Sequence, residues 1–193
     1  GRSFTELRLR GLSLTLQRAE DGAWSVLGLP GQTSGGNPLQ SLEGLGELQV
    51  IDARLAVVAP SLGWNQQLPR IDLRLRVDEE RVRAGTRVWA NRTGEPVQID
   101  FDFNRDSGDG SAYLDARKVD FSEWVSLLQY AGVQVDSGSG RARGWAELRG
   151  HKVMVLTSEL DLQQVGLQGA SLAQAGAAPR VDFEQLQGLM RWR

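Results

Sequence analysis

The residues best suited to chemistry in this chain are a run of acidic groups. Asp100, Asp102, Asn104, Asp106 and Asp109 lie close together, as oxygen ligands of a calcium loop would. Such a loop needs Gly at its sixth position and Glu at its twelfth. Counting from Asp100 the sixth residue is Arg105; counting from Asp102 the sixth is Ser107 and the twelfth Tyr113. Both registers fail. Asp100 and Asp102 instead alternate with Ile99, Phe101 and Phe103, the signature of a strand with one wet face. His151 is the only histidine, and Gly150 and Lys152 beside it mark a solvated turn rather than a catalytic base. No nucleophile elbow, P-loop or zinc-protease motif occurs. Gly138-Ser139-Gly140 with Gly144 does not complete a dinucleotide fingerprint. Asn91-Arg92-Thr93 matches a glycosylation acceptor, but Gly94 after it makes a turn an equal explanation. The expectation is a non-enzyme with no cofactor and no metal.

Composition narrows the class. In 193 residues, 22 Lys and Arg face 24 Asp and Glu, for a net charge of −2, so the basic excess of a nucleic-acid domain is missing. Hydrophobic residues at 40% are enough to fold around. The absence of cysteine excludes disulfides and thiolate metal sites. No apolar run approaches the roughly 20 residues of a membrane-spanning helix. The chain opens on Gly-Arg-Ser-Phe without an initiating Met, which suggests a section of a longer protein.

Two-residue alternation organises nearly everything. Leu7 and Leu9 give way to Leu12, Leu14 and Leu16 in the opposite phase, so a β-bulge is expected at Gly11. Leu48 and Val50 give way in the same manner to Ile51, Ala53, Leu55 and Val57. Ile71, Leu73, Leu75 and Val77 alternate with charged residues, as do Val97, Ile99, Phe101 and Phe103. Stretches 30–41 and 169–179 are rich in Gly, Ser, Ala and Pro and read as loops within one β section spanning 1–193. The fold expected is mainly β, with about ten strands in a largely antiparallel, curled amphipathic sheet, either groove-like or an open barrel. Trp89 and Trp145 fall out of phase with their small apolar neighbours, which places one or both on the polar face.

One helix interrupts this pattern, expected near 121–131. Asp120 and Glu123 have capping-box spacing, and Gly132 offers a C-terminal stop. Phe121, Trp124, Val125 and Leu128 would share one face and cap the sheet. A helix that short cannot cover a ten-stranded apolar face about 45 Å wide. The sheet must therefore close on itself, or leave a groove for an apolar ligand.

The segments LGELQVIDARLAVV, PRIDLRLRVDEERVRAGTRVW and the stretch from Gly108 to Leu148 together resemble the AsmA-like family of the Gram-negative envelope, in its YhdP branch. The residues that carry the resemblance are Gly108, Gly110, the strand Ala112 to Ala116, Val119-Asp120, Trp124, Gly138, Gly140, Arg141, Ala142 and Trp145. The resemblance implies part of a long β-groove in the periplasm, belonging to a protein anchored in the inner membrane by a helix outside this chain. It implies passage of phospholipid between inner and outer membrane. On that view Leu55, Val57, Leu73, Leu75, Val77, Val97, Ile99, Phe101 and Phe103 line the groove. The partners would be phospholipid or another apolar ligand, neighbouring segments of the same long chain, and an envelope protein. The alternative is a structural or protein-interaction module with a closed core and no trough.

Overall fold

The computed structural model describes residues 6–22, 24–29, 46–130, 133–150, 152–169 and 178–193. The loop expected at 30–41 and most of that at 169–179 lie outside them, as does His151. The strands are β1 (Glu6–Arg10), β2 (Ser13–Arg18), β3 (Trp24–Leu27), β4 (Glu47–Ala59), β5 (Trp64–Val77), β6 (Arg81–Trp89) and β7 (Val97–Asn104). They continue with β8 (Gly110–Asp120), β9 (Gln129–Tyr130), β10 (Val133–Arg149), β11 (Lys152–Gly169) and β12 (Arg180–Trp192). All twelve belong to one sheet in the order β12-β11-β10-β8-β7-β6-β5-β4-β2-β3, with β1 beside β4 and β9 beside β10. The terminal strands of that order do not meet, so the sheet is not a barrel.

From β4 onward the topology is the expected antiparallel meander. The beginning departs from it. Both β1 and β2 run parallel to β4, and β3 folds back on the outside of β2. Gly11 sits between β1 and β2 with φ +68°, and its N–H bonds to the Ile51 carbonyl. Glu6 pairs with Glu47 and Ser13 with Arg54, the same offset on either side of Gly11, so β4 is kinked at the matching level. There Asp52 adopts φ +51°, and its N–H bonds to the Asp72 carboxylate. The slip from Val50 to Ala53 in β4 is cancelled in β5 between Leu68 and Ile71. A line of irregularities thus crosses three neighbouring strands.

A second line crosses the other half of the sheet. The β8–β10 register shifts between Gly140 and Ala142, and the β10–β11 register shifts twice between Val135 and Ser139. Gln164 takes φ +52° in β11. In β12, Phe183 opposes Val165 and Leu186 opposes Leu162, so the apolar phase slips there too. Bulges bend a strand and sharpen its twist, which curls the sheet at both lines. Gly140 is where this bending is least tolerant. Its φ is +141°, and a Cβ there would lie 2.2 Å from the Asp161 carbonyl oxygen.

No α-helix forms over the described part, 121–130, of the stretch 121–131. Two 3-10 turns, Phe121–Glu123 and Val125–Leu127, lead directly into β9. The Asp120 carboxylate caps Ser122, accepting from its N–H at 3.0 Å and its hydroxyl at 2.6 Å. The Glu123 carboxylate, which a capping box would turn back onto Asp120, accepts from the Asn91 side-chain amide instead. A ten-residue helix is marginal without help, and here Phe121, Trp124 and Leu127 pack on the sheet's core clusters while Ser126 bonds Gln66 of β5. The 3-10 form also rises about 2.0 Å per residue against 1.5 Å for an α-helix, so the same residues reach further.

Replacing Gly140 with Ala is expected to destabilise the fold by about 3 kcal/mol, from backbone strain and overlap with β11. Gly144→Ala is the comparison, because its Cβ would meet nothing closer than 3.9 Å. Chemical unfolding should find Gly144→Ala unchanged or stabilised by up to about 1 kcal/mol.

Candidate functional site

Cross-strand register assigns side chains to faces, because directly opposed residues point to the same side. One row runs Leu75–Ala84–Phe101–Ala112–Ala146–Leu156–Trp192, strand by strand from β5 to β12. The adjacent row runs Leu73–Thr86–Ile99–Leu114–Gly144–Ser158–Met190. Between them they form a nearly unbroken apolar surface across seven strands.

The nine residues expected to line a groove all lie on this face. Val57 is buried in a core cluster with Leu14, Val50, Ile71 and Val88, and Leu55, Leu73, Leu75 and Ile99 pack against that cluster. Val97 packs on a second cluster built from Ala116, Val119, Leu162 and Val165. Val77 is buried at the far strand end, beside the Val82–Phe103 pair. Phe101 is 40% exposed. The sequence reading missed the other half of the surface: Leu114, Leu156, Met190 and Trp192 are all at least a third exposed on the same side. Ala112, Leu114 and Ala116 do alternate with Ser111, Tyr113 and Asp115, a signal weak only because the alanines are small.

Those small residues shape the surface. Ala142, Gly144 and Ala146 on β10 form a low floor between Ile99 and Leu114 on one side and Leu156 and Leu160 on the other. The result is an open furrow of about 340 Å³ along β10.

The segment 121–128 acts as a strap at one end of this face. The strands it touches, β5 and β10, are separated by β6, β7 and β8, roughly 19 Å in a flat sheet. Gln66 of β5 accepts from the Ser126 hydroxyl and donates to the Glu123 carbonyl. Phe121 packs over Gly138 of β10, where a Cβ would come within 3.1 Å of its ring. Trp124 contacts both core clusters, and Leu127 joins the first. Phe121 and Trp124 therefore cover the sheet, as does Leu127; Val125 and Leu128 are half-buried, and neither belongs to the two clusters.

The opposite face is polar. Asp72 pairs with Arg70 and Arg87, both at 3.2 Å, and Arg81 with Asp102 at 2.7 Å. Trp89 lies on this face beneath the guanidinium of Arg70, 4.1 Å away, and Trp145 packs against Tyr113 at 5.6 Å. Both tryptophans are out of phase with the apolar rows. The acidic run is consumed locally: Asn104 caps the N–H groups of Asp106 and Ser107, Asp102 pairs with Arg81, and Asp109 accepts from Gly150. Among the described residues, no group of three His, Asp or Glu side chains could hold a metal ion. The side chain of Asn91 closes a turn by accepting from the N–H groups of Thr93 and Gly94. No helix is long and apolar enough to cross a membrane among the described residues.

Among the described residues Glu47 is the one buried charged residue, held by Gln49 at 2.6 Å, Arg76 at 2.6 Å and Arg74 at 3.1 Å. The hydrogen bond from Gln49, then that from Arg76, lower its pKa below the ordinary glutamate value. Comparison with family models, with curated proteins and with solved structures finds no match to this chain.

A depressed folded-state pKa stabilises the fold at pH values above the unfolded value, and this contribution fades as pH falls through the folded value. The stability of the chain should accordingly decline below about pH 4.5. Glu47→Gln, which cannot titrate, should flatten that acid limb in urea unfolding measured across pH.

Proposed function

We propose that this chain is a section of an open β-trough that binds phospholipid acyl chains and lets them pass along the bacterial envelope without catalysis. The observation that carries the reading is the apolar face itself. Its two rows cross seven strands, and among the described residues one strap covers one end. Phe101, Leu114, Leu156, Met190 and Trp192 are left exposed along a single continuous surface. Contiguous apolar surface of this extent marks a binding site in a water-soluble domain. The resemblance to AsmA-like proteins supports the identity of the ligand and the periplasmic setting.

The furrow suits an acyl chain by shape and chemistry. Its walls are Leu and Ile side chains, and its floor is Ala and Gly. Each methylene removed from water there contributes about 0.8 kcal/mol, so several in register suffice for measurable affinity. Ser158 is the one polar side chain that the apolar rows place in the furrow, and it carries no charge to fix one position. A bound chain can slide. The strap closes the surface at the Phe121–Trp124 end.

Phe101→Asp is expected to abolish binding of a fluorescent phospholipid analogue while the β-sheet circular dichroism stays unchanged, because this side chain is already partly in solvent. Leu75→Asp should act likewise on binding, with a larger loss of stability because Leu75 packs on the core. Gln98→Lys, exposed on the opposite face, serves as the control and should bind normally. Undiminished binding by Phe101→Asp would refute the trough.

A further inference from the structure

Ion pairing does not account for the middle of the polar face. Cross-strand register sets five side chains there in two rows, Asp100–Tyr113–Trp145 over β7, β8 and β10, and Asp115–Arg143 over β8 and β10. The Tyr113 and Trp145 rings stand 5.6 Å apart, and Trp145 is 39% exposed. The polar atoms beside the rings are under-used. Among the described residues, the buried Oδ1 of Asp115 and Nε of Arg143 have no hydrogen-bond partner. Arg117 comes no closer to Asp115 than 3.6 Å, too far for a hydrogen bond. Asp100 accepts from Gln98 at 2.8 Å, and Arg143 pairs with Glu159 at 2.9 Å. A buried polar atom without a partner costs stability, so each such atom would gain from a ligand that supplies one. Next to the rows, Gly85 on β6 leaves a hollow of about 440 Å³, bordered by Arg74, Arg87 and Asp100. A Cβ on Gly85 would stand 3.1 Å from the Asp100 carboxylate.

We propose that the Tyr113–Trp145 rings and the adjoining hollow form a carbohydrate site, which takes the pyranose rings of a neutral oligosaccharide. An exposed indole offers an apolar plate to the C–H face of a sugar ring and keeps its N–H for a hydroxyl. Sugar hydroxyls both donate and accept. One ring can therefore give a proton to Asp100 or Asp115 and accept one from Arg143. Charge favours a neutral ligand, because Asp100, Asp115 and Glu159 are offset by Arg87, Arg117 and Arg143, and neither sign prevails. From Gly85 on β6 to Trp145 on β10 is three strand spacings, roughly 14 Å, which admits more than one ring. The site lies on the face opposite the apolar rows, so it does not depend on lipid binding.

Isothermal titration with cellohexaose and with chitohexaose, both neutral and β-1,4-linked, tests the site. At least one should bind with a Kd of about 1 mM or tighter. Trp145→Ala should weaken that binding at least about tenfold, since a stacked aromatic anchor carries much of such an interface. Trp145→Phe keeps an apolar plate and should recover most of the loss. Asp115→Ala removes an acceptor without touching the rings, and should weaken binding by about fivefold or more. Circular dichroism of each variant confirms that the sheet is intact. No binding of either oligosaccharide up to about 10 mM, or binding that survives both Trp145→Ala and Asp115→Ala, would overturn the proposal.

Discussion

An amphipathic sheet has one face that water disfavours, and the hydrogen bonds that join its strands do nothing to hide that face. In most β-proteins a second sheet or a layer of helices supplies the cover. Here the described residues place every strand in one layer, and the strap at 121–128 is the sole segment laid across the apolar side. The other features follow from that shortage of cover. The bulge lines curl the sheet and draw its apolar rows towards one another. The 3-10 geometry stretches the strap over as much surface as its few residues allow. The uncovered remainder forms the furrow.

The polar face shows the complementary solution. Arg, Asp and Glu alternate across strands in opposed pairs, with Asp72 between Arg70 and Arg87 and Glu47 between Arg74 and Arg76. Pairs exposed on both sides, such as Arg83–Asp78, contribute little each. Their larger effect is on register, because a one-residue slip would carry these charges onto the apolar side. Charge patterning on one face thus helps to hold the apolar rows aligned on the other.

Much of this was legible from alternation alone. Ile71 to Val77 and Val97 to Phe103 announce both their strands and their inward faces, and the phase slip at Gly11 marks a real kink. The parallel pairing of β1 and β2 with β4 was not legible, because alternation says which face is wet and nothing about which neighbour is paired. The helix was misread for a definite reason. Phe121, Trp124 and Leu128 have helical spacing, yet a short helix depends on tertiary contacts, and the contacts available favoured a stretched turn. Gly138 and Gly140 resemble a loop in sequence and lie inside β10. The first lets Phe121 approach, and the second lets β11 approach. Alanine-floored furrows are also hard to see in sequence, since the residues that create the space are the least conspicuous ones.

The central claim is that the uncovered apolar face is a binding surface. Native mass spectrometry of the chain purified from bacterial cells without detergent tests it most directly. The account predicts a second species carrying phospholipid, near-stoichiometric and released by activation in the gas phase. A spectrum of bare protein alone, from material that also fails to bind an apolar fluorescent dye, would contradict it.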